Sequence, residues 1–219
     1  FYMQHLRLFL LFILAFSATV NAQQNGHFNG ALTYRIERVD VADSVQAKMI
    51  IFARDSMIKI VNFSTDFGKQ ETIKHLVYQK KYVLIDLDGS KFAIQMKDSS
   101  SDQSEKSYRF RKIKGHEKIA GIKGKKLAFQ YKLMKNELTI VYTDKIPAKY
   151  LDAYTDAPGL LLQYYVVNDH GLFKYTLESI DYKTPPLTLF MIPSDYQRIS
   201  FKDFIEKQQR AGHSSIPNN

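Results

Sequence analysis

"DAPGLLLQYYVV", residues 156–167, reads as a strand by composition but does not alternate. Leu160, Leu162, Tyr164 and Val166 take one parity, Leu161, Tyr165 and Val167 the other, and only Gln163 breaks the apolar run. Successive side chains of a strand point to opposite faces. A strand apolar at both parities therefore needs cover on both sides, which a half-solvated sheet does not supply. "KMIIFA" (48–53), "YVLIDL" (82–87) and the stretch at 156–167 share this demand.

Elsewhere the period is two with one polar face. "ALTYRIERV" (31–39) places Leu32, Tyr34 and Ile36 opposite Thr33, Arg35 and Glu37. "KFAIQMK" (91–97) sets Phe92, Ile94 and Met96 on one side. "YRFRK" (108–112) opposes Tyr108 and Phe110 to Arg109 and Arg111, "KKLAFQYKL" gives Leu127, Phe129, Tyr131 and Leu133, and "ELTIVY" gives Leu138, Ile140 and Tyr142. Such alternation marks half-buried strands of an antiparallel sheet. The expected fold is mainly β: a strongly curved antiparallel sheet, an incomplete barrel, with a few short helices.

Turns fall at short intervals. Asp88-Gly89 suits a tight hairpin, and Lys135-Asn136 is expected to join the next pair. "KDSSSDQSEK" (97–106) is expected to be a mobile, solvated loop. "IPAKYLDAYTDAPG" (146–159) can hold a short helix begun at Pro147. In "ISFKDFIEKQQR" (199–210), Ser200 and Asp203 form a capping-box arrangement, with Phe201, Phe204 and Ile205 on one stripe. This C-terminal helix is expected to pack on the sheet, and residues 211–219 to fray.

The first residues, "FYMQHLRLFLLFILAFSATVNAQQ", combine a basic start, a short apolar core from Leu8 to Phe16 and small residues before Ala22. That order predicts a cleaved secretory signal peptide over 1–22, the apolar run being short of the ~20 residues of a membrane span. An uncleaved N-terminal anchor is the competing interpretation. Residues 23–219 are expected to form one β-rich domain with no transmembrane span. The chain has no cysteine, so neither disulfides nor a lipidated cysteine are expected. Formal net charge is +9, and much of it lies between Arg109 and Lys135. A basic band attracts nucleic acid, anionic lipid or an acidic partner. Export makes nucleic acid a poor candidate, and a solvated strand face is the plainer reading.

No catalytic motif emerges. "GHEK" (115–118) lacks the second histidine that zinc-peptidase spacing requires at position 120, and His27, His75, His170 and His213 are scattered. "DLDGS" (86–90) lacks the twelfth-position glutamate of a calcium loop. "GIKGKK" (121–126) does not meet the P-loop pattern, and there is no Gly-x-Ser-x-Gly elbow. A non-enzyme without metal or cofactor is expected.

The order of segments carries a resemblance. "FNGALTY" (28–34), "KIAGIKGKKLAF" (118–129), "IVYTDKIP" (140–147), "APGLLLQY" (157–164) and "LFMIPSDYQRIS" (189–200) follow one another. This resembles the exported GLPGLI-type proteins and related domains of unknown function in Gram-negative bacteria. Pro158, Gly159, Leu160, Leu161 and Leu162 match the family signature, with Ala157 in place of its leading leucine. These families are similar to the LolA/LolB-type lipoprotein-carrier fold, a curved sheet around an apolar cavity. Relatives often carry a cysteine after the midway glycine, which is absent here. The N-terminal helix of true carriers is missing too, so the resemblance does not carry lipoprotein transport with it.

The resemblance and the alternation together imply an exported periplasmic or outer-membrane-facing protein that binds a lipid or acyl chain. Candidate lining residues are Leu32, Tyr34, Ile36, Phe92, Ile94, Met96, Leu127, Phe129, Tyr131, Leu138, Ile140 and Tyr142. Lys123, Lys125 and Lys126 are candidate contacts to an anionic surface. The alternative is an envelope adaptor that grips another protein through its basic face or a sheet edge.

Overall fold

The computed structural model describes residues 27–41, 47–64, 68–87, 89–96, 107–132 and 134–213. The expected signal peptide, the loop at 97–106, Leu133 and the turn residue Asp88 lie outside them. Twelve strands form one sheet: β1 (Gly30–Arg38), β2 (Ala47–Arg54), β3 (Met57–Ser64), β4 (Gly68–His75), β5 (Lys80–Leu87), β6 (Ser90–Met96), β7 (Tyr108–Ile119), β8 (Ile122–Tyr131), β9 (Leu138–Thr143), β10 (Leu160–Asn168), β11 (Gly171–Asp181) and β12 (Gln197–Ser200). Their order is β12-β6-β5-β4-β3-β2-β1-β11-β10-β9-β8-β7. The sheet is open and curls until β7 comes against β11. It is not wholly antiparallel, because β12 runs parallel to β6. The expected hairpin of β5 and β6 is present, with Leu87 opposite Ser90, and β8 pairs with β9 as the Lys135-Asn136 turn requires.

The double parity of 156–167 has a local cause and a tertiary one. A β-bulge interrupts β10 between Leu161, opposite Tyr142, and Gln163, opposite Val141. One extra residue is accommodated there, and Leu160, Leu161 and Leu162 are all buried. The concave side is then covered by the crossover from β9 to β10, residues 144–159, which lays Ile146, Ala148, Tyr150 and Leu151 into the main core. In place of the expected helix this crossover holds one 3₁₀ turn, Ala148–Tyr150. On the convex side a second strap, residues 182–196, covers Ile73, Leu84 and Ala93 with Ile192 and Tyr196. In β2 the expected two-sided burial is weaker: Met49, Ile51 and Ala53 are buried, while Ile50 and Phe52 are half-buried.

The C-terminal helix α1 (Phe201–His213) forms as its cap predicts. Ser200 Oγ accepts from the Asp203 N–H at 3.1 Å and donates to Asp203 Oδ2 at 2.7 Å. Its contact with the sheet is narrower than the stripe suggests. Phe204 packs edge-on against Phe92, ring centroids 5.6 Å apart, whereas Phe201 and Ile205 stay exposed.

The concave crossover is tied down by polar bonds. Tyr150 Oη accepts from the Phe28 N–H at 2.6 Å, and Tyr154 Oη donates to the Tyr165 carbonyl at 2.6 Å. Asp152 receives Lys74 at 2.7 Å and Lys81 at 3.0 Å, and Lys74 is itself buried. Burial works against ionisation of Asp152, but the two lysines outweigh it and hold its carboxyl below the ordinary aspartate range. A carboxyl depressed in the folded state adds stability above its unfolded pKa of ~3.9, and loses it as pH falls through the lower folded value. Asp152→Asn is expected to cost about 2 kcal/mol at pH 7, discounted from a fully buried pair because the aspartate keeps one side to water. In urea titrations the gap between variant and parent should close below about pH 3. An equal gap at both pH values would exclude the ion pair as its cause.

Candidate functional site

The expected lining residues of β8 and β9 share one face, as the cross-strand neighbours Leu127/Ile140 and Phe129/Leu138 show. The expected set does not line one open space. Leu32, Tyr34, Ile36, Leu127, Phe129, Ile140 and Tyr142 are buried in the main core, with Tyr131 and Leu138 packed at its margin. Phe92 and Ile94 form a separate cluster with Phe204, flanked by Met96. The protein's own rings fill the interior: Tyr154 meets Phe129 at 5.2 Å, Tyr108 at 4.7 Å and Tyr164 at 6.2 Å between centroids. Residues 158–162, expected from the resemblance to be a signature, include a glycine with a structural role. Gly159 lies so close to Thr143 that a Cβ there would stand 2.1 Å from the Thr143 carbonyl oxygen.

What the structure leaves open is the β7 edge. β7 ends the sheet, and β8 is its only ladder partner among the described residues. Its first half, Tyr108 and Phe110, turns inward to the aromatic cluster. Its second half is exposed at Lys112, Lys114, Gly115, His116 and Lys118. Between Lys112, opposite Leu127, and His116, opposite Lys125, three residues of β7 face the single Lys126 of β8. Gly115 takes φ 119° in this bulge, a value side-chain-bearing residues avoid. A concavity of about 440 Å³ opens there, lined by Lys112, Ile113, Lys114, Gly115, His116, Lys125, Lys126 and Tyr142. A second one, about 530 Å³, lies along the same two strands at Tyr108, Arg109, Gln130, Lys132 and Lys135.

The register gathers the cations. Lys118 stands directly opposite Lys123, and His116 opposite Lys125. Like charges in cross-strand positions oppose pairing, so this edge carries a charge conflict that the fold itself only partly answers. Glu137 pairs with Arg111 at 2.5 Å, Asp144 with Lys125 at 2.6 Å and Glu117 with Lys126 at 3.0 Å. The hydrogen bond from Arg111 holds the Glu137 carboxyl below its usual range, and that from Lys125 does the same for Asp144. Lys112, Lys114, Lys118, Lys123 and Lys135 form no ion pair with another described residue. Of the three anionic-surface candidates, Lys123 has no ion-pair partner among the described residues, while Lys125 pairs with Asp144 and Lys126 with Glu117.

No group of three or more metal-ligating side chains is found among the described residues. Nor is any described helix long and apolar enough to cross a membrane. No protein-family model matches the chain, and no curated protein does. Solved structures of PNGF-II are similar in fold. In its P21 crystal form the likeness has a TM-score of 0.52 at 12% identity, covering 84% of this chain and 34% of that one. In the C2 form the values are 0.50, 15%, 81% and 32%. This chain therefore spans about a third of the length of PNGF-II, and at such identity the likeness is one of backbone architecture.

Proposed function

We propose that the protein is an exported, non-catalytic adaptor that holds an acidic, extended segment of an envelope protein along the second half of β7. The juxtaposed cations at an unpaired strand edge carry this reading. Unpaired backbone groups can add a strand from a partner, and alternate side chains then set specificity. Carboxylates on that strand would relieve the Lys118/Lys123 conflict. The bulge at 113–115 limits the register, because an added strand must start on one side of it. The GLPGLI-type resemblance and the signal-like first residues supply the export part of the proposal.

The test uses two alternating octapeptides, one glutamate-valine and one lysine-valine, with hydrogen exchange read on β7. The acidic peptide should slow exchange of the outward amides of β7, and its affinity should fall about tenfold between 50 and 300 mM salt. Lys114→Glu combined with Lys118→Glu should abolish binding without lowering stability. Equal binding of the lysine peptide would overturn the proposal. Under the rival reading, an acyl chain sits among the concave-face residues. A reproducible lipid mass on the detergent-free protein in native mass spectrometry, lost on denaturation, would support that instead.

A further inference from the structure

On the convex face, far in sequence from the basic edge, the 182–196 strap does not close fully onto the sheet. It is anchored by Arg54, whose guanidinium donates to the Pro185 carbonyl at 3.0 Å, and by Lys91 paired with Asp195 at 2.8 Å. Between strap and sheet, beside the turn at 76–79, lies a groove of about 280 Å³. Its walls are Met57, Ile73 and Tyr82 from the sheet, Phe190 and Met191 from the strap, and Tyr78 from the turn. This size is just below the ~300 Å³ at which small-molecule sites begin.

Two features separate the groove from leftover space. Tyr78 and Met191 stand 69% and 64% exposed, although each lies against apolar neighbours that could have covered it. The turn is nonetheless ordered: His75 Nδ1 accepts from the Tyr78 N–H at 3.3 Å, and the two rings lie 4.3 Å apart. His75 Nε2 lies 3.5 Å from Ser56 Oγ. Ile192 and three cations complete the lining: Lys74, which is paired with Asp152, and then Lys80 and Arg198. Neither of the last two forms an ion pair with a described residue, although most other cations near this face do, including Lys59 with Glu71 and Lys91 with Asp195. An apolar slot with two unneutralised cations and no carboxylate among its lining residues suits one ligand chemistry.

We propose that this groove binds a small amphipathic anion, with its apolar body against Met57, Tyr78, Phe190 and Met191 and its carboxylate at Lys80 and Arg198. The site does not depend on the adaptor reading. It is also separate from the concave face, so an acyl carboxylate held here would lie outside the sheet.

The methionines make the test local. In methyl-labelled methionine NMR of the full-length protein, Met57 and Met191 report the groove, while Met49 and Met96 report the concave face. Sodium octanoate should shift Met57 and Met191 saturably and leave Met49 and Met96 in place. Octanol should bind about tenfold more weakly, the scale of one charge-assisted hydrogen bond. Arg198→Gln and Lys80→Gln should each bring octanoate down towards octanol. Both residues are exposed, so folding is not at stake, and Lys183→Gln serves as a control expected to change nothing. Shifts at Met49 or Met96 instead, no saturable shift, or equal binding of octanoate and octanol would each overturn the proposal.

Discussion

Gly159→Ala is expected to destabilise the protein by about 3 kcal/mol, one of the two largest effects foreseen for a single substitution. An added Cβ would meet the Thr143 carbonyl oxygen at 2.1 Å, the Thr143 carbonyl carbon at 2.8 Å and Asp144 Cα at 3.0 Å. All three are backbone atoms, so no flexible side chain can swing away. The two ends of the concave crossover meet at this point, where the Leu160 N–H also donates to the Ile146 carbonyl at 2.7 Å. Separating them by the ångström or so a methyl demands would lift the crossover from the core. A drop of about 10 °C in the thermal midpoint is the expected reading for a domain of this size. A loss under about 0.5 kcal/mol would mean the junction relaxes freely, and the close approach would not explain the glycine.

Tyr34→Ala is expected to cost about 4 kcal/mol, the upper range for truncating a buried aromatic ring. Tyr34 is fully buried at the centre of the sheet, edge-on to Tyr164 at 5.8 Å. Its hydroxyl donates to the Leu161 carbonyl at 2.7 Å. That carbonyl sits at the β10 bulge, and β10 pairs with β11 only from Gln163 onward. The tyrosine thus completes a backbone group that the irregular ladder leaves over. Burial of the hydroxyl also pushes its pKa far above that of a free tyrosine, so it stays a neutral donor. Tyr34→Phe isolates this bond and should cost about 1 kcal/mol. If Phe proves as damaging as Ala, ring packing is not the main contribution.

Most strands were legible because alternation is a local property. Leu32, Tyr34 and Ile36 share the buried side of β1 as their spacing requires, and Ser200 caps α1 as its sequence implies. The double parity of 160–167 pointed to cover on both faces; Leu160, Leu161 and Leu162 are buried, while Tyr165, Val166 and Val167 stay half-buried. The covers themselves were hidden, because the crossover at 144–159 over the main core and the strap at 182–196 over β4 to β6 reach their targets through contacts remote in sequence. β4 shows the same limit. Its Lys74 reads as a solvent residue until Asp152 arrives from the crossover. The site was least legible of all. The charge of 109–135 is plain in the sequence, but that β7 lies at an edge follows from strand order. Gly115 was the one local hint of the bulge. The groove beside Tyr78 draws on strands, turn and strap and left no sequence signature.

The central position of β1 has a consequence for how the chain must be made. Ala31 opposes Asp181, so β1, the first described strand, waits for the eleventh of twelve before its second flank is filled. Until then β1 to β6 form a meander whose leading edge is β1, with Leu32, Tyr34 and Ile36 beside an open ladder. Closing so long a loop is slow, and exposed strand edges recruit other chains in the interval. A nascent chain stopped after β10 would therefore carry open edges at β1 and β10 in addition to those at β6 and β7, and would be the species most prone to aggregate or to need a chaperone.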